Sequence, residues 1–277
     1  MTRSEIIPLL HALGIHPSKK LGQNFLVDSN LLDAMVRDAT PQAGERVLEV
    51  GPGLGALTRR LLSAGCHVTA VEIDYRLAEF LREDLAGEER FRLIRGDACQ
   101  VDYEATMGSA PFRVIANLPY ACSSVLLAQL VRLPNPPTEM IVLLQREMAE
   151  RLIALPQTKA YGALSVAIRL HYDVVPLRRI PPDVFFPAPQ VDSMQIRIAQ
   201  SANALNGQQL MHAAAVARIG FSQRRKQIAK LLSKHVPREH VLEALSHLGL
   251  PEDCRAEDLP PETFHRLAER LPEISTS

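Results

Sequence analysis

The four residues Asn117-Leu118-Pro119-Tyr120 follow an apolar run, Val114-Ile115-Ala116, that reads as a buried strand. A turn accounts for the amide and the proline and leaves the aromatic without a purpose. Together the four can hold the exocyclic amine of a purine base. The lone pair of such an amine is delocalised into the ring, so the nitrogen is a poor nucleophile. Acceptors aimed at its N–H bonds help the pair localise as the nitrogen becomes tetrahedral. The Asn117 side-chain oxygen and the Leu118 carbonyl are two such acceptors in adjacent positions. Pro119 fixes the backbone between them and donates no competing N–H. Tyr120 offers a flat face on which a base can stack, and nothing in the sequence gives its hydroxyl a part. A plain turn carrying a buried tyrosine is the alternative for the same residues.

A second group lies upstream, in "LEVGPGLGALT". Gly51, Gly53 and Gly55 make a G-x-G-x-G turn, where glycine lets the backbone turn sharply and approach a ligand closely. The helix that follows adds free N–H groups. Such a turn alone is a weak signal, because dinucleotide enzymes share it. Its spacing is not G-x-G-x-x-G, and Glu49 precedes it. Glu72 stands 21 positions after Gly51, where a carboxylate typically accepts hydrogen bonds from ribose hydroxyls. Asp97, in "IRGDAC", is placed to hold an adenine amino group. The alternative for each acid is a cap or a turn. A nucleoside with a glycine loop fits NAD or S-adenosylmethionine. No catalytic His, Lys or Tyr constellation accompanies a nicotinamide site, and the amine-binding hook suits a methyl acceptor.

These residues need elements to hold them. Segments 46–51, 67–72, 91–95, 112–116 and 139–145 are short, apolar and often β-branched, as buried strands are. Segments 55–64, 75–86, 123–132 and 146–155 between or after them read as helices, and 163–180 and 189–199 as two later strands. Strand alternating with helix predicts a parallel sheet with helices on both faces. The acids then fall at the carboxyl ends of successive strands, where open α/β sheets bind ligands. From Ala199 the pattern changes to a small-polar linker and then helices only. The expected division is a catalytic domain over 1–203 and a helical domain over 204–277.

Composition excludes several classes. The chain has 277 residues, 47% hydrophobic and 22% charged, as expected of a globular protein with a real core. Lys+Arg and Asp+Glu are both 31, so net charge points to no nucleic acid. The four cysteines form no CxxC pair and the nine histidines no cluster, so no metal is expected and reduced thiols are. No apolar run approaches the ~18 residues of a membrane helix, and the N-terminus has no signal-peptide core. A cytoplasmic monomer is expected.

The motifs "EVGPGLGALT", "VEID", "GDA" and "NLPY" together resemble the ribosomal RNA adenine N6-dimethyltransferases. The likeness extends over nearly the whole chain, through "KKLGQNFLVD" (19–28), "QREMAERLIALPQTKAYGALSV" (145–166), "VFFPAPQVDS" (184–193) and "GFSQRRKQI" (220–228). It implies a doubly wound, seven-stranded Rossmann-like sheet with a small all-α C-terminal domain. It also implies S-adenosylmethionine as methyl donor, contacted by Asn24, Leu26, Gly51, Glu72, Asp97 and Asn117. Phe185 would stack on the target base opposite Tyr120. Within the family the sequence is most similar to the bacterial small-subunit branch, which dimethylates two neighbouring adenines in the 3′-terminal hairpin of 16S rRNA in the immature 30S subunit. The long helical tail and "FSQRRK" argue against the antibiotic-resistance branch acting on 23S RNA. The intact hook argues against a non-catalytic assembly factor. One departure is Ala121-Cys122 after the hook, where the family usually has Asn-Ile.

RNA binding has support in the residues themselves. No acidic residue lies between Asp192 and Glu239, a window holding Arg197, Arg218, Arg224, Arg225, Lys226, Lys230, Lys234 and Arg238. Lys19 and Lys20 flank the N-terminal segment. One-sided charge of this kind can bind phosphates, with Arg224, Arg225 and Lys226 the first candidates. A merely solvated helix face is the alternative.

Overall fold

The computed structural model describes residues 3–18, 21–202, 204–205 and 207–274; Lys19 and Lys20 lie outside them. In chain order the elements are α1 (Arg3–Ala12), β1 (Phe25–Leu26), α2 (Ser29–Ala39), β2 (Arg46–Val50), α3 (Ala56–Ser63), β3 (His67–Glu72), α4 (Tyr75–Asp84), β4 (Phe91–Arg95), α5 (Tyr103–Met107) and β5 (Arg113–Asn117). Then come α6 (Ser123–Leu130), β6 (Glu139–Gln145), α7 (Arg146–Ile153), α8 (Ala163–Arg169), β7 (Tyr172–Ile180), β8 (Phe185–Phe186) and β9 (Ser193–Gln200). The helices α9 (Gly207–Gly220), α10 (Ile228–Leu232), α11 (Arg238–His247) and α12 (Pro261–Ala268) follow.

Seven strands form one sheet in the order β4-β3-β2-β5-β6-β9-β7. The pairs β4–β3, β3–β2, β2–β5 and β5–β6 are parallel. Val50 pairs with Val71, so Gly51 emerges beside Glu72, and Glu72 pairs with Arg95, two residues before Asp97. Leu48 pairs with Val114, which carries Asn117 to the level of Gly51 by extension. The Arg146 N–H, just past β6, donates to Asp192 O, just before β9, at 2.9 Å. β9 therefore runs against β6, and the sheet is mostly but not wholly parallel.

Local chemistry sets these elements. β2, β3, β5 and β6 are apolar runs with most residues buried, as strands covered on both faces are, whereas β4, at the edge of the sheet, has no buried residue. Asp28 caps α2 by accepting from the Leu31 N–H, and Asp74 caps α4 by accepting from the Arg76 and Leu77 N–H groups. One core packs Leu32, Met35, Leu57 and Leu61 from the helices against Val47, Ile115 and Ile141 of the sheet. A smaller one joins Ile6 and Leu10 of α1 to Phe25, Leu54 and Leu77.

The chain divides into two compact units. The first holds Met1–Leu130, Asn135–Ala149 and Val175–Ile198; the second holds Val131–Pro134, Glu150–Val174 and Ala199–Ser277. The helical unit thus includes the segment from Glu150 to Val174, which a cut at 203/204 would leave in the catalytic domain. Its core shows why: Ala154, Tyr161, Val166 and Leu170 pack with Leu210, Val216, Leu232, Phe264 and Leu267. The Tyr161 hydroxyl donates to Leu259 O at 2.8 Å. Segment 163–180 is not one strand but the helix α8 followed by β7. α1, α2 and α5 are further elements that the apolar runs did not signal.

Candidate active site

The glycine turn, the acids and the hook line one cavity of about 290 Å³, close to the lower end of the ~300–1,000 Å³ of small-molecule sites. Asn24, Leu26, Glu49, Gly51, Gly53, Glu72, Asp97, Asn117, Leu118, Pro119 and Tyr120 all reach it. Phe185 does not. It is fully buried in the core with Leu26, Leu32 and Met35, so neither face of its ring is open to a base. The expectation that Phe185 stacks opposite Tyr120 is corrected accordingly.

Glycine is required at the turn. Gly51, Gly53 and Gly55 have φ of 72°, 57° and 75°, in the left-handed region. A Cβ on Gly51 would lie 2.8 Å from Pro119 Cγ, and one on Gly53 would lie 3.2 Å from the Phe25 ring. The Gly51 N–H donates to Val71 O at 3.0 Å, tying the turn to β3.

Glu72 is buried at the end of β3. It accepts from the Asp74 N–H at 2.9 Å and from the Gly53 N–H at 3.3 Å. Glu49, also buried, accepts from the Thr58 hydroxyl at 2.7 Å. Burial pushes the Glu49 carboxyl up to about 8, with the neighbouring Glu72 adding to it, and pushes Glu72 up to about 7 against the backbone N–H groups of Asp74, Gly53 and Ile73. A pair of dehydrated carboxyls in a cavity favours a cationic or hydroxyl-rich ligand, which supplies what lost water supplied. Asp97 stands at the cavity and also has the turn role given as its alternative, accepting from the Cys99 N–H at 2.9 Å and from Gln100 Nε2 at 3.2 Å.

The buried acids give a pH dependence. Between about pH 4.5 and pH 7, both carboxyls of the ligand-free folded chain favour the protonated form, whereas the unfolded chain, with values near 4.5, has released those protons. Stability is therefore complete below about pH 4.5, falls as pH rises through about 7 and 8, and then levels off. Glu49→Gln removes one of the two contributions. The melting temperature of the ligand-free variant should exceed that of the wild type by ~5 °C or more near pH 8.5, with a smaller gap near pH 5.5. Parallel melting profiles for the two proteins would show that Glu49 ionises freely.

The hook is held from several sides. Asn117 Nδ2 donates to Asn24 O at 3.2 Å, which orients the amide so that its oxygen is the group left for a ligand. The Leu118 N–H donates to Leu143 O at 3.2 Å while the Leu118 side chain is buried. A Cβ on Gly22 would lie 3.2 Å from the Tyr120 nitrogen, so the N-terminal segment runs directly over the hook. Cys122 closes the turn, its N–H donating to Pro119 O at 3.3 Å and its thiol to the same oxygen at 3.5 Å. The Ala121-Cys122 departure thus keeps the hook closed. Burial pushes the Cys122 thiol up to about 12 and raises that of Cys99, so both are poor nucleophiles.

Some residues of the site gave no signal of their own. Gln23 Nε2 donates to Asp74 Oδ2 at 2.9 Å, linking the N-terminal segment to the residue that also holds Glu72. Their only trace was membership in "GQNF" and "VEID". The Tyr120 hydroxyl lies 2.6 Å from Ser193 Oγ, a partner that nothing in the sequence indicated.

With this geometry in place, comparison with known proteins decides the family. The model of the ribosomal RNA adenine dimethylases matches residues 16–273. The chain belongs to that family. It is 40% identical to the ribosomal RNA small subunit methyltransferase A of Deinococcus radiodurans, over 95% of this chain and 88% of that one. It is 34% identical to the protein of the same name from Moorella thermoacetica, over 98% of both. Among solved structures, the 23S rRNA methyltransferase ErmE is 28% identical with a TM-score of 0.66, covering 90% of this chain and 99% of its own. A dimethyladenosine transferase from Plasmodium falciparum shares the fold, with a TM-score of 0.74 at 24% identity over 88% of this chain and 95% of its own. The protein is thus an rRNA adenine dimethyltransferase, built on the mostly parallel seven-stranded sheet that the alternation of elements predicted.

The basic window is divided in its roles. Arg224 is committed within the helical unit. Its guanidinium pairs with Glu257 at 3.0 Å and donates to the carbonyls of Thr158, Lys159 and Tyr161. Its assignment as a phosphate contact is corrected to that of a clamp on the 158–161 turn. Arg197 is similarly spent, on Glu139 and Asp38 O. Arg218, Arg225, Lys226, Lys230, Lys234 and Arg238 are exposed and form no ion pair among the described residues. Arg224→Gln should therefore lower the melting temperature, by an amount corresponding to ~1–3 kcal/mol. Arg225→Gln with Lys226→Gln should leave it unchanged and reduce the log–log salt slope of RNA binding by ~0.7–0.9 per lost contact. Melting curves and a salt titration of RNA affinity separate the two roles, and an unchanged slope would make these cations a solvated face.

Proposed function

We propose that this protein uses S-adenosylmethionine to dimethylate the N6 of two adjacent adenines in the 3′-terminal hairpin loop of 16S rRNA in the immature 30S subunit. The observation that carries the reading is the Asn117 amide. Its nitrogen is held by Asn24 O, which leaves its oxygen as the acceptor for a ligand in the cavity that Asn117 lines together with Glu72 and the glycine turn.

The chain fits the cofactor: the turn is a cradle that a Cβ would fill, and the dehydrated carboxyls suit a ligand with hydroxyls and positive charge. Glu72 would accept from the ribose hydroxyls, Asp97 from the adenine amino group, and Asn24, Leu26, Gly51 and Asn117 would complete the contacts. When bound, this group supplies an electrophilic methyl on a sulfonium. The chain supplies position and acceptors. Tyr120 stacks the flipped adenine, while Asn117 Oδ1 and the Leu118 carbonyl accept from N6–H. No strong base is needed, since the proton leaves after N6 becomes cationic. A monomethylated N6 still has one hydrogen to offer an acceptor, so the hook tolerates a second round. A loop adenine is preferred because it need not be unpaired first. The exposed cations of the helical unit would contact the RNA backbone, and a monomer suffices for every step.

The higher identity to the two small-subunit relatives than to the 23S enzyme ErmE supports the 16S target. The test is methyl transfer from labelled S-adenosylmethionine to undermethylated 30S particles, followed by mass spectrometry of the digested RNA. Dimethyladenosine in the 3′-terminal hairpin is expected. Label in 23S RNA alone would favour the resistance-type activity, and no label on any RNA would favour a non-catalytic assembly factor.

A further inference from the structure

We propose that Ser193 is a positioning residue for methyl transfer: by holding the tip of the Tyr120 side chain, it fixes the ring on which the target base stacks. The inference rests on the adenine-hook reading and extends it to a residue on a distant strand. Tyr120 lies in the turn after β5, and Ser193 begins β9, 73 positions away and two places along the sheet. Their hydroxyls approach to 2.6 Å, so the Tyr120 side chain reaches past the end of β6 to β9.

Both ends of the ring are then fixed. At the backbone end, the Ser123 hydroxyl donates to Tyr120 O at 3.3 Å and the Cys122 N–H to Pro119 O. At the tip, Ser193 is fully buried and therefore cannot follow a moving ring. Its own strand is pinned at that point by the bond from the Arg146 N–H to Asp192 O. A tyrosine free at its tip would sample rotations about two side-chain bonds, and the stacking face would turn with it. Fixing it beforehand removes that loss when the base arrives.

The composition of β9 supports a purpose beyond packing. Ser193, Gln195 and Arg197 alternate with Met194, Ile196 and Ile198, so one face of this strand is polar. Ser193 and Gln195 are nevertheless fully buried. A hydroxyl placed in such a position costs stability unless it is bonded, and Tyr120 is the partner that satisfies it. Alanine or valine would serve packing alone.

The experiment compares Tyr120→Phe, Ser193→Ala, their combination and Ser193→Thr. Single-turnover methyl transfer is measured on undermethylated 30S particles, with cofactor affinity by calorimetry and melting temperature alongside. Tyr120→Phe and Ser193→Ala should each slow the single-turnover rate by ~3–10-fold, with S-adenosylmethionine affinity within about twofold of the wild type. The double variant should be no slower than either single one, because both remove the same bond. Ser193→Thr, which keeps the hydroxyl, should recover most of the rate. Wild-type rates in both single variants, whatever their melting temperatures, would overturn the proposal, as would defects that multiply in the double variant. If the wild-type protein itself transfers no methyl to adenine, the underlying reading fails and the positioning role falls with it.

Discussion

Asn117→Ala should yield a folded protein that has lost at least about a hundredfold of its single-turnover methyl-transfer rate. Preorganised polar groups aimed at developing charge are worth ~10²–10³ in rate when one is removed. Asn117 is such a group, because its amide is already oriented by the 3.2 Å bond to Asn24 O before any base arrives. The loss should appear in the chemical step, since the acceptor matters most as N6 begins to carry positive charge. The fold should survive, because Asn117 ends β5 at the cavity while the residues that build the core, Val114, Ile115 and Ala116, are untouched. Asn117→Asp offers a sharper comparison. It keeps an acceptor but gives up the N–H that bonds Asn24 O, and should fall between the wild type and alanine. Melting curves alongside single-turnover assays check the prediction. Full activity in Asn117→Ala would mean that the hook is a structural turn.

The residues of the proposed hook stood out because their types conflict with a simple turn, and they do line the cavity; the strands were legible because buried parallel strands are continuous apolar runs. β3 and β6 begin and end where the composition changes. The same signal misled at 163–180. In α8 the consecutive residues Ser165, Val166, Ala167 and Ile168 are all buried, so the helix has no solvent face and shows no 3.6-residue period. An apolar stretch without a period resembles a strand. The cost was the unit boundary, because α8 packs with α9 and α12 in the helical core.

The site residues that went astray share a different cause, which is partners far away in sequence. Phe185 and Phe186 are adjacent aromatics, and successive strand residues face opposite ways. Which one turns inward depends on the pairing of β8 with β1, where Phe186 meets Phe25 and Phe185 meets Leu26. No local pattern contains that register. Arg224 resembled its neighbours Arg225 and Lys226 until its partners appeared: Glu257, 33 positions on, and the carbonyls of the 158–161 turn more than 60 positions back. Ser193 lies within "VFFPAPQVDS", but its bond to Tyr120 depends on β9 standing two places from β5 in the sheet. Residue type announces chemistry well when the chemistry is local, and poorly when the partner arrives through topology.

Gly51→Ala should damage the cofactor site and the hook together, and its effect should far exceed the backbone strain it introduces. The strain itself is ordinary: at φ of 72° an L-residue costs ~1–2 kcal/mol. Gly44 provides the measure of that term, with φ of 80° and nothing within 4 Å of an added Cβ. At Gly51 the added carbon would lie 2.8 Å from Pro119 Cγ and 3.1 Å from Cδ. A proline ring cannot swing aside as a long side chain can, because it is closed onto its own backbone. Relief must move the Pro119 backbone, and with it the Leu118 carbonyl and the Asn117 amide on one side and Tyr120 on the other. A displacement near 1 Å at a positioned group costs ~10²-fold in rate. Gly51→Ala should therefore lose about a hundredfold in methyl transfer and weaken S-adenosylmethionine binding, whereas Gly44→Ala should lose only the stability that the strain costs and keep its activity. Thermal unfolding, cofactor calorimetry and single-turnover transfer on both variants decide the matter. Equal activity in the two would show that the glycine turn and the hook are mechanically independent.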